Sequence, residues 1–499
     1  MRKLLFMMFA AACAHAGAQD GLFPAVKQVR VQAYPEVADL ACEKKPAPPR
    51  TVAAPKPDPM EVPDEGILFG STPVAPMPVA QGSTPGAARA PSIRPNMPGQ
   101  PFRMAIWGDS HLAAGFFTEE LSKLLEAPAD SVSNVLLPAN MGRAGVRLPI
   151  RRACVSSEWK YEPGYLGRDN AVAPGPGLMN MFSDQPGATL AWDVRKDAQS
   201  PGYERVRVLY QQTESPLLVG LSIDGRAEQE VVLDARAGPA MLELLADRPI
   251  AQVKLRLIDG RLRLHGLELF SAQANLLEMD VFGYPGATVA GWKSADLNYL
   301  RSWFAQRPYQ LVALEFGTNE GNVKPFDVAT YRASLVEAVR NMRSVFPAAA
   351  CILIAPGDRG VLVPRSANAG KKRAVQARAG RKAGKRTDKA APRKDKNSAA
   401  RSRKGAPRPA VDLLQYARIH ADIAQVQREV AADAGCTAWS MQDAMGGPGA
   451  SYRWAQQTPA WMARDLIHFT AAGYRQLARD FAKDMGWTAP PAQASQAAQ

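Results

Sequence analysis

The stretch FRMAIWGDSHLAAGFF, residues 102–117, decides the fold. An apolar run from Met104 to Trp107 stops at Gly108-Asp109-Ser110-His111, and a small-residue apolar segment follows. A short continuous apolar run bounded by a glycine turn reads as a buried strand. Residues 116–126, FFTEELSKLLE, have the spacing of an amphipathic helix. Strand, glycine turn and helix form the opening unit of an α/β protein.

The same alternation returns far downstream. LEMDVFGYPGATVAG (277–291) and YQLVALEFGTNEG (309–321) each read as a strand followed by a glycine turn. ACILIAPGD (350–358) and CTAWSMQDAMGG (436–447) read as further strands, with helical spacing at 294–306, 327–346, 414–435 and 469–487. Strands alternating with helices predict a parallel sheet covered on both faces.

Between the two halves the pattern changes. Residues 188–270 alternate with period two, as in RVRVLY, LLVGLSI, EVVLDA, VKLRLI and RLRLHGLEL. Asp224-Gly225 and Asp259-Gly260 sit between such runs, a hairpin signal. An antiparallel sandwich of roughly eight strands is expected over 160–273. It interrupts the α/β domain, whose parts are placed at 101–130, 276–360 and 411–488.

The remaining segments have their own character. Arg2 and Lys3, an apolar run from Leu4 to Ala14 and then Ala16-Gly17-Ala18 read as a cleaved signal peptide over 1–18. That run is too short to span a bilayer, and no later stretch is a transmembrane candidate. Export to the periplasm or outside the cell is expected. Lipid attachment at Cys13 is disfavoured, because Ala10 stands where such signals usually carry Leu. Residues 19–100 are rich in Pro and Ala and read as a disordered tether.

The net charge of +14 is local. Residues 371–410 hold sixteen Lys or Arg against two Asp, which accounts for all of it. Residues 365–410 therefore read as a basic, disordered insertion. A solvated loop and contact with an anionic polymer both remain open for it. Nucleic acid is disfavoured, since no aromatics are interleaved for stacking.

Four cysteines follow the signal: Cys42, Cys154, Cys351 and Cys436. An even number in an exported chain suggests disulfides. Cys351 and Cys436 each open a predicted strand and can meet at one end of a sheet, leaving Cys42 for Cys154. Free buried thiols are the equal alternative.

Parallel α/β sheets place ligands at the carboxyl ends of their strands. Polar residues there are Gly108-Asp109-Ser110, Gly283 to Gly286, and Gly317-Thr318-Asn319-Glu320; Asp465-Leu466-Ile467-His468 precedes the last helix. Serine chemistry needs a base beside the hydroxyl and a group to orient the base. His111 follows the serine directly and reads as its neighbour. His265 lies in a sandwich strand, and His420 lies on an exposed-looking helix face. His468 is the best base, because Asp465 precedes it by one turn. The backbone N–H groups of Ser110 and Gly286 and the amide of Asn319 are the candidate oxyanion donors. No Cys/His cluster has metal-ligand spacing, and no cofactor is expected.

These blocks, in this order, resemble the SGNH (GDSL-type) hydrolases. The resemblance implies a three-layer, flavodoxin-like α/β domain. It implies Ser110 as nucleophile, the glycine of the second block (Gly286 in GATV, favoured over the alternative Gly283) and Asn319 in the oxyanion hole, and Asp465 and His468 completing the triad. The third block reads Gly-Thr-Asn-Glu where many members have Gly-x-Asn-Asp.

GDSHLAAGFFTEEL, EFGTNEGN, WSMQDAMGGPGASYRW and DLIHFTAAGYRQLA resemble the Gram-negative peptidoglycan O-acetylesterases of that superfamily in particular. That resemblance implies a carbohydrate-binding-module-like sandwich between the Ser and Gly blocks, here 176 positions apart. It also implies hydrolysis of acetyl esters on a glycan. A glycan O-acetyltransferase with the same triad, and an inactive wall-binding protein, are the competing readings. Within the sandwich, Trp159, Tyr161, Tyr165, Trp192, Tyr203 and Tyr210 serve either glycan contact or core packing. Near the last loop, Trp439, Met445 and Trp454 are candidates for the pocket wall, with core packing favoured for Trp439.

Overall fold

The computed structural model describes residues 23–42, 60–62, 101–125, 135–139, 141–168, 173–272, 277–364 and 411–487. The expected signal peptide, most of the expected tether and the basic insertion lie outside these residues.

Five strands form one parallel sheet in the order Leu277–Gly283, Phe102–Gly108, Leu311–Glu315, Ala350–Ala355, Thr437–Ser440. In chain order this is 2-1-3-4-5, the flavodoxin-like arrangement. Both faces are covered, so neither needs polar residues. Trp107, Val312, Leu314 and Leu353 pack against helices Val328–Val345 and Gln415–Ala434. Their strand neighbours Met104, Ile106, Ala313 and Ile352 pack against helices Phe116–Leu125 and Ala471–Asp484. The continuous apolar runs in the sequence follow from this two-sided burial. No helix among the described residues is long and apolar enough to cross a membrane.

The inserted domain is a sandwich of a seven-stranded and a five-stranded sheet around one apolar core. It is larger than the roughly eight strands expected, for two reasons. Val135–Pro138 pairs with Leu262–Phe270, and Arg152–Val155 pairs with Thr189–Asp193, so the sandwich begins before residue 160. Ala25–Val31, inside the segment read as tether, pairs in parallel with Gly238–Ile250. Its own pattern, AVKQVRV, alternates in burial and is short enough to be lost among prolines.

The two Asp-Gly pairs do different work. Asp224 (φ 52°) and Gly225 (φ 72°) turn Leu217–Ile223 back onto Gln229–Leu233, a hairpin whose two central residues are left-handed. Asp259-Gly260 makes no hairpin. It passes the chain from Gln252–Asp259 in one sheet to Leu262–Phe270 in the other.

Cys42–Cys154 and Cys351–Cys436 are disulfides, so the thiol alternative does not hold. The first fastens the early segment to the sandwich, and the second joins two adjacent strands of the parallel sheet.

A buried ionic chain joins the two domains. Arg207 pairs with Glu243 at 2.7 Å and with Glu268 at 3.1 Å inside the sandwich. Arg307 bridges Glu268 to Glu278, and Arg103 meets Glu278 at 2.7 Å in the parallel sheet. Asp280 adds a tie, accepting from Tyr309 Oη at 2.6 Å and from the Leu136 amide at 2.8 Å. Removing one partner of such a buried pair costs about 3–5 kcal/mol, because the other charge is stranded.

Candidate active site

Gly108 and Gly283 are register partners on neighbouring strands. A Cβ on Gly108 would lie 2.5 Å from Glu315 Oε2, and one on Gly283 would lie 2.4 Å from the Ala113 nitrogen. The one-turn helix Ser110–Ala113 can settle on the strand ends only because both positions lack side chains. Asp109 caps that turn, its Oδ1 accepting from the His111 amide at 2.8 Å. This explains why the chain leaves the strand through a glycine and places a serine next.

His468 Nε2 lies 3.0 Å from Ser110 Oγ, across 358 positions of sequence. His468 Nδ1 lies 2.7 Å from Asp465 Oδ2. The other carboxyl oxygen, Asp465 Oδ1, accepts the amides of Ile467 and His468 at 3.0 Å each, so the loop holds its own imidazole. Leu466 completes this turn at φ 56°, and its carbonyl accepts the Gly360 amide at 3.0 Å.

The charges are set by these contacts. Burial opposes ionisation of Asp465, but the hydrogen bonds from His468 and two backbone amides override it and hold the carboxyl well below the usual range. The hydrogen bond that His468 donates to Asp465 raises the imidazole, against partial burial and the field of Arg359. His111 differs. It is fully buried, which pushes it down to about 3, and its Nδ1 lies 3.2 Å from Tyr474 Oη. It stays neutral beneath His468 as a packing partner.

Asn319 stands between the Ser and Gly turns. Its Nδ2 donates to the Ala287 carbonyl at 2.9 Å and approaches Asp109 Oδ2 at 3.5 Å. Gly286, the residue before Ala287, has φ 85°, and nothing lies within 4 Å of the place a Cβ would take. It therefore sits in a left-handed turn open to space, whereas Gly283 is enclosed. The two N–H groups of the Asn319 amide thus face these two acceptors, and the one directed at Asp109 is held only at 3.5 Å.

Two buried carboxyls, Asp109 and Glu315, and the half-buried Glu320 lie behind this surface. Glu315, at the end of its strand, accepts the Asp109 amide at 3.1 Å. Glu320 accepts Val289 N at 2.9 Å and Gly317 N at 3.0 Å. Burial raises Asp109 to about 6 and Glu320 to about 7, and raises Glu315 well above its ordinary value. Glu315 escapes sequence reasoning, although a lone carboxyl ending an apolar strand is the signal that could find it. Arg359, from the Pro356-Gly357-Asp358-Arg359 turn, is also missed.

Other expectations change. His420 is buried, not exposed, and its Nδ1 lies 2.7 Å from the Gly357 carbonyl. The helix face read as polar packs under the loop that follows the fourth sheet strand. Trp159, Tyr165, Trp192, Tyr203 and Tyr210 are buried, and the half-buried Tyr161 donates to the Met141 carbonyl. These aromatics pack the protein interior. Trp439, Met445 and Trp454 belong to the core as well. The sandwich reaches the site through loop 141–151. Arg147 N donates to the Ala113 carbonyl at 2.9 Å, and Gly145 abuts Pro285.

Residues 265–476 match the GDSL-like Lipase/Acylhydrolase family. A solved peptidoglycan O-acetylesterase aligns over 78% of this chain and 92% of its own, at 21% identity and a TM-score of 0.51, and so shares the fold. A family two carbohydrate esterase from Cellvibrio japonicus covers 67% of this chain and 98% of its own, at 12% identity and a TM-score of 0.23. A search of curated proteins returned no match.

Proposed function

From the premise that the chain carries a GDSL-like lipase/acylhydrolase domain and hydrolyses ester bonds, we propose that it is a serine esterase removing O-acetyl groups from a cell-envelope glycan, O-acetylated peptidoglycan first among them. The observation that carries this reading is the continuous chain Asp465 Oδ2, His468, Ser110 Oγ, with spacings of 2.7 and 3.0 Å.

In the proposed reaction His468 Nε2 takes the Ser110 proton as Oγ attacks the acetyl carbonyl. Asp465 holds the imidazole tautomer and stabilises its charged form. The Ser110 and Gly286 backbone N–H groups receive the oxyanion together with the Asn319 N–H that faces Asp109 at 3.5 Å, which turns to the substrate oxygen instead. The carbonyl re-forms as the sugar oxygen leaves, and that oxygen takes the proton from His468. Water then attacks the acetyl-enzyme, giving up a proton to His468, and acetate leaves as Ser110 is reprotonated.

The sandwich acts as a wall at the mouth of the site, since its aromatics are spent on packing. The Lys/Arg-rich insertion is proposed to contact anionic envelope polymers. Both the leader-like first residues and the disulfides support an extracytoplasmic setting.

The test is acetate release from O-acetylated peptidoglycan by the mature protein and by Ser110→Ala. Release by the first alone supports the esterase. Acetyl transfer to chito-oligomers in excess of hydrolysis assigns a transferase. Equal inactivity of both proteins assigns a binding role.

A further inference from the structure

Loop Pro356–Val361 leaves the fourth sheet strand and supports the triad through Gly360 N and Leu466 O. The residue before that glycine is Arg359. Its guanidinium lies over the ring of Tyr416, 3.9 Å from the centroid, and Nη1 donates to Asn322 Oδ1. Asn322 ends the short 3₁₀ turn that starts beside Asn319. Lys324 Nζ lies over the same ring at 4.7 Å. Two cations thus lie over one aromatic ring, between the turn that presents Asn319 and the loop that presents His468.

We propose that Arg359, supported by Tyr416 and Lys324, anchors a carboxylate borne by the glycan whose ester Ser110 attacks. This deepens the esterase reading and rests on it.

The fold leaves this charge unneutralised. Arg359 makes no ion pair with a carboxylate among the described residues, and its buried Nε has no hydrogen-bond acceptor there. The carboxylate whose field acts on it, Asp465, is already engaged by His468 and two backbone amides. A partly desolvated guanidinium without a counter-charge is a net cost to folding, and an oxyanion on a ligand would offset it through charge-assisted hydrogen bonds. The cost is compounded because the same charge opposes protonation of His468, the step the reaction needs. Stacking on Tyr416 and the bond to Asn322 fix the guanidinium plane, so little side-chain entropy is lost on binding.

The discriminating experiment uses three acetyl esters: 4-nitrophenyl acetate, O-acetylated peptidoglycan fragments, and the same fragments with their carboxyls converted to methylamides. Amidation is expected to cost the wild type about tenfold in kcat/KM, the scale of a lost charged hydrogen bond. Arg359→Gln should erase that difference, losing about tenfold more on the acidic fragments than on 4-nitrophenyl acetate. Equal losses on all three esters would reduce Arg359 to a positioning residue and overturn the proposal, as would no loss on any.

An arm without variants guards against misfolding: inhibition of wild-type 4-nitrophenyl acetate hydrolysis by N-acetylmuramic acid and by N-acetylglucosamine. Stronger inhibition by the acid is expected. Equal inhibition, or stronger inhibition by N-acetylglucosamine 6-phosphate, contradicts a carboxylate site. Failure of the esterase reading is separate, because 4-nitrophenyl acetate turnover would then either survive in Ser110→Ala or be absent from the wild type.

Discussion

Glu320 accepts the backbone amide of Val289 at 2.9 Å. Its second oxygen accepts the Gly317 amide at 3.0 Å, so one half-buried carboxyl ties the loop after Gly286 to the turn that presents Asn319. Glu320→Gln replaces one acceptor oxygen with a donor and strands one of these amides. The expected cost is about 1–3 kcal/mol of stability, read as a lower Tm. The pH dependence follows from burial, which lifts Glu320 from 4.5 to about 7. A carboxyl raised in the folded state contributes stability that is fully present below 4.5 and is lost as pH rises toward 7. Wild-type Tm should therefore fall more steeply than that of Glu320→Gln between these limits. Parallel melting curves would contradict the role given to this carboxyl.

Asn319 offers the one side-chain donor of the proposed oxyanion hole. Asn319→Ala should lower kcat on 4-nitrophenyl acetate about 10²–10³-fold, with KM little changed. A loss confined to KM would move Asn319 from transition-state stabilisation to substrate binding.

In the proposed reaction His468 must be neutral to take the Ser110 proton. The Asp465 hydrogen bond raises it, so kcat/KM should climb with pH through an inflection above 6.5. Asp465→Asn removes the largest cause of that rise. The inflection should move to lower pH, with a rate loss of about 10⁴-fold. An inflection that stays in place would mean that another group controls the limb.

Much of this was legible because two periodicities differ. Strand-and-helix alternation predicts the parallel sheet, and the motif order pairs Ser110 with the distant Asp465 and His468. What was not legible depends on neighbours rather than spacing. Ala25–Val31 becomes a strand only because Gly238–Ile250 offers an open edge. Asp259-Gly260 has hairpin chemistry, yet the runs it joins belong to different sheets. His420 looks exposed until the loop at Gly357 covers it. Glu315 and Arg359 are single charges whose meaning appears only when separate strand ends meet.

The basic insertion is bounded by residues that the fold brings together. Tyr452 Oη accepts the Val361 amide at 2.7 Å and donates to the Leu413 carbonyl at 2.8 Å, before and after the segment. Replacing 371–410 with a short Gly/Ser linker should therefore leave the Tm nearly unchanged. It should abolish retention on an anionic resin, which in the full chain falls as salt rises. Undiminished retention would exclude the insertion as the polymer contact.

The most direct test of the central claim is mass spectrometry on protein quenched during turnover of an acetyl ester. One added acetyl group is expected on the peptide containing Ser110, and none in Ser110→Ala. An acetyl group on another residue, or steady acetate release by Ser110→Ala, would contradict it.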